Sequence, residues 1–459
     1  MIRSQGFQKF ARRLNLWVAF FVPHSFLFVI LLTFLVYFLG ILVTYQGPFD
    51  MVQFWVRGVW NLLSFSMQMV LLVAAGFSVA SAPLSQRVLR FLAALPSSPR
   101  GAVLFLTAFT ALCSLLHWGL GIIAGSFLAR EMGRRVSGID YPLLVASAFI
   151  GMASGNLGLF ASDPVVIRKA APFLEKAMGS SPSPETAWSL VSLLGFILGL
   201  AAAMAMLGVL SPEEKEATPP GRELLERFER EDRAELGTIA AEREVHQKGK
   251  LAFGVWLEHS RWPVWLISIM GFSYIVFWFY GQGFAFNLNT LIFVLFTLAL
   301  SLHDTPMHFL QSLENSARAA HGIIVQFPFY AGTQGMLASS GLAALATAWV
   351  LSLVGPATYP TLIFLHAVVL NLFAPTSGGV WEVQGPLMAK AAQSLELHFP
   401  RVIQAFSSGE MLGNVIHPFW TIPLMGICGL SVRDIMGYCL IAFVLLSAIW
   451  VLCVNLLPV

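Results

Sequence analysis

The sequence predicts an all-α polytopic membrane protein, built as an inverted repeat with two re-entrant hairpins and two broken helices. Three observations lead there. The 459 residues are 57% hydrophobic and only 11% charged, with a mean hydropathy of +0.74, whereas a soluble chain carries about 25% charged residues. The second half repeats residues of the first at one constant spacing. Apolar runs in both halves are interrupted at corresponding places, the strongest sequence pointer to the binding site of a secondary transporter.

The basic N-terminus (Arg3, Lys9, Arg12, Arg13) precedes a long apolar run with no small-residue cleavage site, so Ser25–Tyr45 reads as a first span and not a removable signal. Crossing ~30 Å of hydrocarbon takes a helix of about 20 residues. Phe54–Ala82 is the second span. Leu84–Leu95 sets Val88, Leu89, Phe91 and Leu92 against Gln86, Arg87 and Arg90, the pattern of a helix lying along the interface. Gly101–Phe127 is apolar but interrupted near His117–Gly121, and Tyr141–Val166 is interrupted at Gly151–Asn156. Pro172–Glu185 is a polar connection, and Trp188–Leu210 is another span. Glu213–Glu258 is long and hydrophilic, and its "GRELLERFEREDRAEL" predicts a solvated helix in a cytoplasmic insert without catalytic signature. Trp262–Tyr280 then links the two halves.

The repeat has an offset of 258 residues (306 less 48). Pro48 falls on Pro306, Gln68 on Gln326, Ala80-Ser81 on Ala338-Ser339, Gly121 on Gly379 and Pro142 on Pro400. "GMASGN" at 151–156 falls on "GEMLGN" at 409–414. The organisation is therefore a first repeat over 1–210, with a hairpin at about 101–127 and a broken helix at about 141–166. A hydrophilic insert covers 211–261 and a linking span 262–282. A second repeat occupies 283–459, with a hairpin at about 362–389 and a broken helix at about 401–428.

Charge placement sets the orientation. With the N-terminus in the cytoplasm, Arg87, Arg90 and Arg100 follow the second span on the inside, and Arg130, Arg134 and Arg135 follow Gly101–Phe127. If that segment crossed, the second cluster would lie outside, against the positive-inside bias. Turning back near His117–Gly121 keeps both flanks inside. Apart from Arg57, Arg168, Lys169, Lys176, Lys390 and Arg401, the basic residues are then cytoplasmic. Four spans plus the link make an odd number, which inverts the second copy. The stretch "HAVVLNLFAPTSGGVWEVQGP", His366–Pro386, breaks at Ala374–Gly379, and inside a bilayer such a break belongs in buried protein or a wet cavity. The two tips and the two broken helices can meet near the midplane. Half-helix N-termini there favour a small anion and unwound carbonyls a coupling cation.

"GIIVQFPFYAG" (Gly322–Gly332), "NLFAPTSGGVWEVQGP" (Asn371–Pro386), "GEMLGNVIHPFW" (Gly409–Trp420) and "RDIMGYC" (Arg433–Cys439) resemble the bacterial short-chain fatty acid transporter family of the ion transporter superfamily. "VWNLLSFSMQM" (Val59–Met69) and "DYPLL" (Asp140–Leu144) extend the likeness over nearly the whole chain. The resemblance implies secondary uptake of butyrate- or acetoacetate-like carboxylates in the bacterial inner membrane, coupled to H+ or Na+. It also implies an elevator mechanism, a homodimer, and a site between hairpin tips and broken helices. Two departures stand out. Thr376-Ser377-Gly378-Gly379-Val380 replaces a glycine-richer tip containing histidine, and His417 stands where that family favours glutamine.

For substrate, Thr376 and Ser377 offer hydroxyls, and Gly378 and Gly379 backbone N–H groups, to a carboxylate. Their structural alternative is a turn held by its own side chains. Asn156 and Asn414 sit at the matched breaks, where an amide can donate and accept, or simply satisfy frayed backbone. His117 and Trp118 at the first tip are further substrate candidates, although a lone apolar-site histidine is commonly a satisfied core residue. The same holds for His417, while Gln68 and Gln326 can equally serve as interhelical hydrogen bonds. Glu410, at membrane depth and matched by Met152, is the ion-coupling candidate, with Glu382 second.

No metal site is read. His303 and His308 are five apart, off one helical face, and Cys113, Cys428, Cys439 and Cys453 lie in apolar segments as packing residues. There is no Walker motif, no cofactor signature and nothing that calls for nucleic acid. The competing functions are a carrier of another small organic anion, an intramembrane enzyme, which the scattered histidines and acids do not support, and a passive channel, which paired occluding hairpins disfavour.

Overall fold

The computed structural model describes residues 5–155, 190–231, 253–282, 287–375, 379–397 and 399–457, and these are helices and turns with no strand among them. The first part runs α1 (Gln5–Phe21), α2 (Ser25–Val43), α3 (Pro48–Asn61), α4 (Leu63–Ser81), α5 (Pro83–Ala94), α6 (Pro99–Leu116), α7 (Trp118–Arg135) and α8 (Tyr141–Gly155). It continues with α9 (Leu190–Leu210) and α10, at 222–231 within the insert. The remainder is α11 (Phe253–Glu258), α12 (Trp262–Gln282), α13 (Leu288–Leu302), α14 (Pro306–Ser339), α15 (Leu342–Ser352), α16 (Tyr359–Phe373), α17 (Gly379–Ser394), α18 (Phe399–Val415), α19 (Pro418–Cys428) and α20 (Val432–Leu456).

Several of these helices are long and apolar enough to cross a membrane, among them α2, α4, α9, α12 and α20. On α12, Trp265, Ile269, Val276, Phe277 and Tyr280 are all exposed, a surface suited to acyl chains. By length alone Pro99–Leu116 also qualifies as a span. Its neighbour α7 packs back along it, and Gly121 sits so close to Ser114 and the Thr110 carbonyl that a side chain there has no room.

The helix order recurs. Pro48 opens α3 and Pro306 opens α14, and Tyr141 opens α8 while Phe399 opens α18, both pairs at the offset seen in the sequence. Proline suits these first helical positions, because its missing N–H has no helical acceptor there. The succession α6, α7, α8 is matched in order by α16, α17, α18.

Two packing groups result. In one, α14 lies against α2, α3 and α4, with α13 on α4 and α12 on α13. Its tightest approach is α3 on α14, where Gly58 meets Gly335 and the Ala331 carbonyl. Small residues let helix backbones approach closely inside a membrane. The other group packs α6, α7 and α8 together, α16 on α18, and α9 and α20 around them. The groups meet where α7 faces α4 and α19 faces α14.

Four expectations need correction. Phe54–Ala82 is not one span: α3 and α4 divide at Leu62, and α3 begins earlier, at Pro48. The second glycine motif is not the break: α18 runs unbroken through Gly409–Asn414, while the first motif is described only as far as Gly155, the last described residue of α8. Those glycines instead admit a neighbouring helix: Gly409 faces the Phe364 carbonyl and Ala367, Gly413 faces Asn371, and Gly155 faces the Ala111 carbonyl. The bend, of 42°, falls between Val415 and Pro418, because proline removes a donor and turns the residue before it from helix to extended backbone. The insert helix is not free in solvent, since Phe228 at its centre is fully buried. Lastly, His303 and His308 do not share a helix; one ends α13, the other begins α14, and their rings meet at 4.6 Å. Among the described residues, no three His, Cys, Asp or Glu side chains gather as metal ligands.

The span at Ser25–Tyr45, the interfacial helix at Leu84–Leu95 and the interruption at His117 have counterparts in α2, α5 and the α6–α7 junction. Helix α1 is additional. Asn15 ties it to α20 by donating to the Asp434 carbonyl and accepting from Gly437 N–H. Cys428, Cys439 and Cys453 are buried and, like Cys113, not disulfide-bonded.

Candidate functional site

The first tip is the α6–α7 junction. His117 adopts extended backbone (φ −165°) and its Nδ1 accepts from Gly119 N–H at 3.0 Å, capping α7. Trp118, half-buried, sets its ring edge-on to Trp420 of α19 at 5.1 Å. The histidine is thus a helix cap, and the tryptophan carries the tip across to the kinked helix.

The kink uses the same device. His417 caps α19, its Nδ1 accepting from Phe419 N–H at 3.1 Å while its Nε2 donates to the Leu372 carbonyl at 3.1 Å. That carbonyl lies in the last turn of α16, where the helix itself provides no partner. One neutral imidazole therefore starts α19 and ties it to the second hairpin. Around it stand aromatic rings from the other packing group: Phe327 stacks on Phe419 at 3.9 Å, and Tyr330 and Phe28 meet His417 at 5.2 and 5.9 Å. First tip, kink and second hairpin consequently converge against an aromatic wall.

The second hairpin is formed by α16 and α17, whose limbs are joined by Tyr359 donating to the Met388 carbonyl at 2.8 Å. Asn371, near its tip, is 1% exposed, and neither its Oδ1 nor its Nδ2 has a hydrogen-bond partner. Gln384 on α17 is fully buried with both amide atoms in the same condition. Asn414 on α18 has an unpartnered Oδ1, its Nδ2 lying 3.9 Å from the Met411 sulfur. Glu410 is 1% exposed and one helical turn before Asn414, so the two share a face. Its neighbours Gln404, Ser407 and Ser408 are buried as well, which makes α18 an interior polar helix and not a lipid-facing one.

The geometry thus brings His117 and Trp118 to the kink, and sets Glu410 and Asn414 on the helix that packs against the second hairpin. Gly379 is the first residue of α17, and Glu382 falls within that helix. Thr376, Ser377, Gly378 and Asn156 lie outside the described residues. Gln68, at the exposed end of the alternatives, donates to Asn289 Oδ1 at 2.6 Å, an interhelical bond. Sequence reasoning missed Asn371, Gln384 and Trp420. The available signal was an amide in an otherwise apolar helix on either side of a break, since such groups in a membrane need a partner.

The profile of the family described as short chain fatty acid transporter matches residues 7–457. A protein of Escherichia coli (strain K12), provisionally named a short-chain fatty acid transporter, is 32% identical over 449 residues, covering 98% of this chain and 99% of its own. A likewise named protein of Haemophilus influenzae is 30% identical over 449 residues, covering 96% and 98%. The crystal structure of the Alcanivorax borkumensis YdaH transporter covers 94% of this chain and 98% of its own at 13% identity, with a TM-score of 0.42, too low to equate the two folds.

Proposed function

Because this chain belongs to the short chain fatty acid transporter family, we propose that it carries a butyrate- or acetoacetate-like monocarboxylate across the bacterial inner membrane, coupled to H+ or Na+. It is a membrane transporter and not an enzyme. The observation that carries the reading is the set of buried amides without partners, Asn371 and Gln384 in the second hairpin and Asn414 Oδ1 on α18. Leaving one such group unmade costs about 1–3 kcal/mol. An amide N–H satisfies a carboxylate, and an amide oxygen satisfies a cation. A carboxylate with a coupling cation would use both kinds of atom, and the wall formed by Trp118, Trp420 and Phe419 suits a short alkyl tail.

Thr376, Ser377, Gly378 and Gly379 complete the anion site in this proposal, together with Asn414 and Asn156, its counterpart in the first repeat. Glu410 binds the coupling ion or proton, and Glu382 is the second candidate. The recurrence of helix starts supports the repeat, and the basic flanks of α6–α7 support its re-entrant, inverted form with a cytoplasmic N-terminus. An elevator movement of the hairpin-bearing group, in a homodimer, follows from the family resemblance. Another small organic anion is the alternative cargo, to which the substituted second tip points.

Counterflow of labelled butyrate in proteoliposomes tests the proposal. A carrier trades internal unlabelled butyrate for external label and overshoots equilibrium. A monotonic approach to equilibrium would indicate a channel, and no butyrate-dependent signal would move the cargo to another anion.

A further inference from the structure

The insert between the two halves makes contacts that the transport site does not account for. Helix α10 buries Phe228 completely. The Arg130 guanidinium of α7 lies over that ring at 4.2 Å and Arg134 at 5.3 Å. Arg130 also donates to Glu231 at 2.5 Å and to the Phe228 carbonyl at 3.3 Å. Glu231 is shared, because Arg227 of the same helix reaches it at 3.0 Å. From there Arg227 donates to the Gly426 carbonyl of α19 at 3.3 Å. Just beyond, Gly429 ends α19 with φ +70°, and Leu224 of α10 occupies the place a side chain there would fill. Two residues just ahead of α10 reach the same body: Thr218 N–H donates to Asp140 Oδ2, and Arg12 of α1 donates to the Glu216 carbonyl.

We propose that α10 is a clasp that fixes the end of the first hairpin to the end of the kinked helix, so that these parts of opposite halves move together during transport. The reading rests on the transport proposal above. Each contact just named lies on α1, α7, α19 or the start of α8, within or attached to the hairpin-bearing group; a lock against movement would instead hold that group to α2, α3 or α14. The physical design is a buried ring under two guanidiniums, one of them held by a carboxylate of the same helix as the ring. Guanidiniums over an aromatic ring bind strongly where water is excluded, and their mutual repulsion is offset because Glu231 pairs with Arg130 and Glu131 with Arg134. Arg227 then spends its remaining donors on a carbonyl in the last turn of α19, which the helix leaves open. The clasp is a positioning device and touches no substrate.

Phe228→Ala should therefore slow butyrate exchange in proteoliposomes roughly five- to tenfold, the lower end of typical coupling free energies. Butyrate affinity of the detergent-solubilised protein should be unchanged, and Phe228→Tyr should restore the rate. Amide hydrogen exchange should quicken at both 130–135 and 426–429, because both ends lose the shared anchor. An unchanged or faster exchange rate in Phe228→Ala overturns the clasp, the faster rate being the mark of a lock. Should Phe228→Ala fail to fold, Glu231→Gln retains the ring and weakens only the charge pair; a rate equal to the parent's would then overturn the proposal. If the parent itself shows no butyrate counterflow, the cargo proposal fails separately. The clasp is then decided by hydrogen exchange, and unaltered protection at 426–429 in either variant refutes it.

Discussion

Replacing Asn371 by leucine separates a binding amide from a structural one, because the two roles give effects of opposite sign. The side chain is 1% exposed and neither polar atom has a hydrogen-bond partner. Leucine has nearly the same shape, so the contact with Gly413, where a β-carbon would sit 2.9 Å from Asn371 Cβ, survives. Removing two buried unpartnered groups returns about 1–3 kcal/mol for each. The unliganded protein should accordingly unfold at a higher temperature, followed by intrinsic fluorescence in a defined detergent. Binding should suffer. A hydrogen bond to a charged group contributes about 1.5–3 kcal/mol, and 1.4 kcal/mol is tenfold, so butyrate should bind roughly ten- to a hundredfold more weakly by calorimetry. A variant that is less stable and binds butyrate as the parent does would show that Asn371 serves the α16–α18 contact alone. The buried amides would then be structural and not part of the carboxylate site.

Three further outcomes follow from the geometry. Cysteines at Ser97 and Ser137, both exposed, should react with an impermeant maleimide from the same, cytoplasmic face; Ser97 is preferred to Ser98, whose side chain caps α6 through Gly101 N–H, and labelling from opposite faces would end the re-entrant reading. His417→Gln should keep most transport, since an amide can still donate to the Leu372 carbonyl, whereas His417→Ala loses both cap and tie, costs about 1 kcal/mol of stability for the cap alone, and should slow uptake markedly; equal uptake by the two variants would count against the tie. Glu410→Gln resembles a permanently protonated acid, so under proton coupling it should exchange butyrate yet fail to accumulate it, and weakened sodium-stimulated binding would point to sodium instead; accumulation with the parent's pH and sodium dependence would make Glu410 structural.

Much of this protein is legible along the chain because lipid removes choices. With no water to satisfy the backbone, an apolar run of sufficient length has little option but helix, and so Ser25–Tyr45, Trp188–Leu210 and Trp262–Tyr280 map onto α2, α9 and α12. Proline and glycine were harder to read, because each has two uses. Gly409 and Gly413 read along the chain as a break and instead admit α16, while the bend belongs to Pro418, four residues past the motif's final Asn414. Local sequence registers that a glycine is present. It does not register which neighbour needs the space.

The same division runs through the candidate site. Composition, periodicity and one offset determined by themselves that the chain is a helical membrane protein with a recurring helix order, since those depend on transfer from water and on backbone hydrogen bonding, both local properties. Tertiary structure alone decided that Trp118 meets Trp420, that one histidine starts α19 and holds the end of α16, and that Asn371 and Gln384 are sealed from water without a partner. It also decided that a charged segment resembling a solvated helix buries Phe228 beneath two arginines from a hairpin about a hundred residues earlier. The reason is physical: whether a polar group is satisfied, and whether a ring is covered, depends on atoms brought close by folding from distant places in the chain.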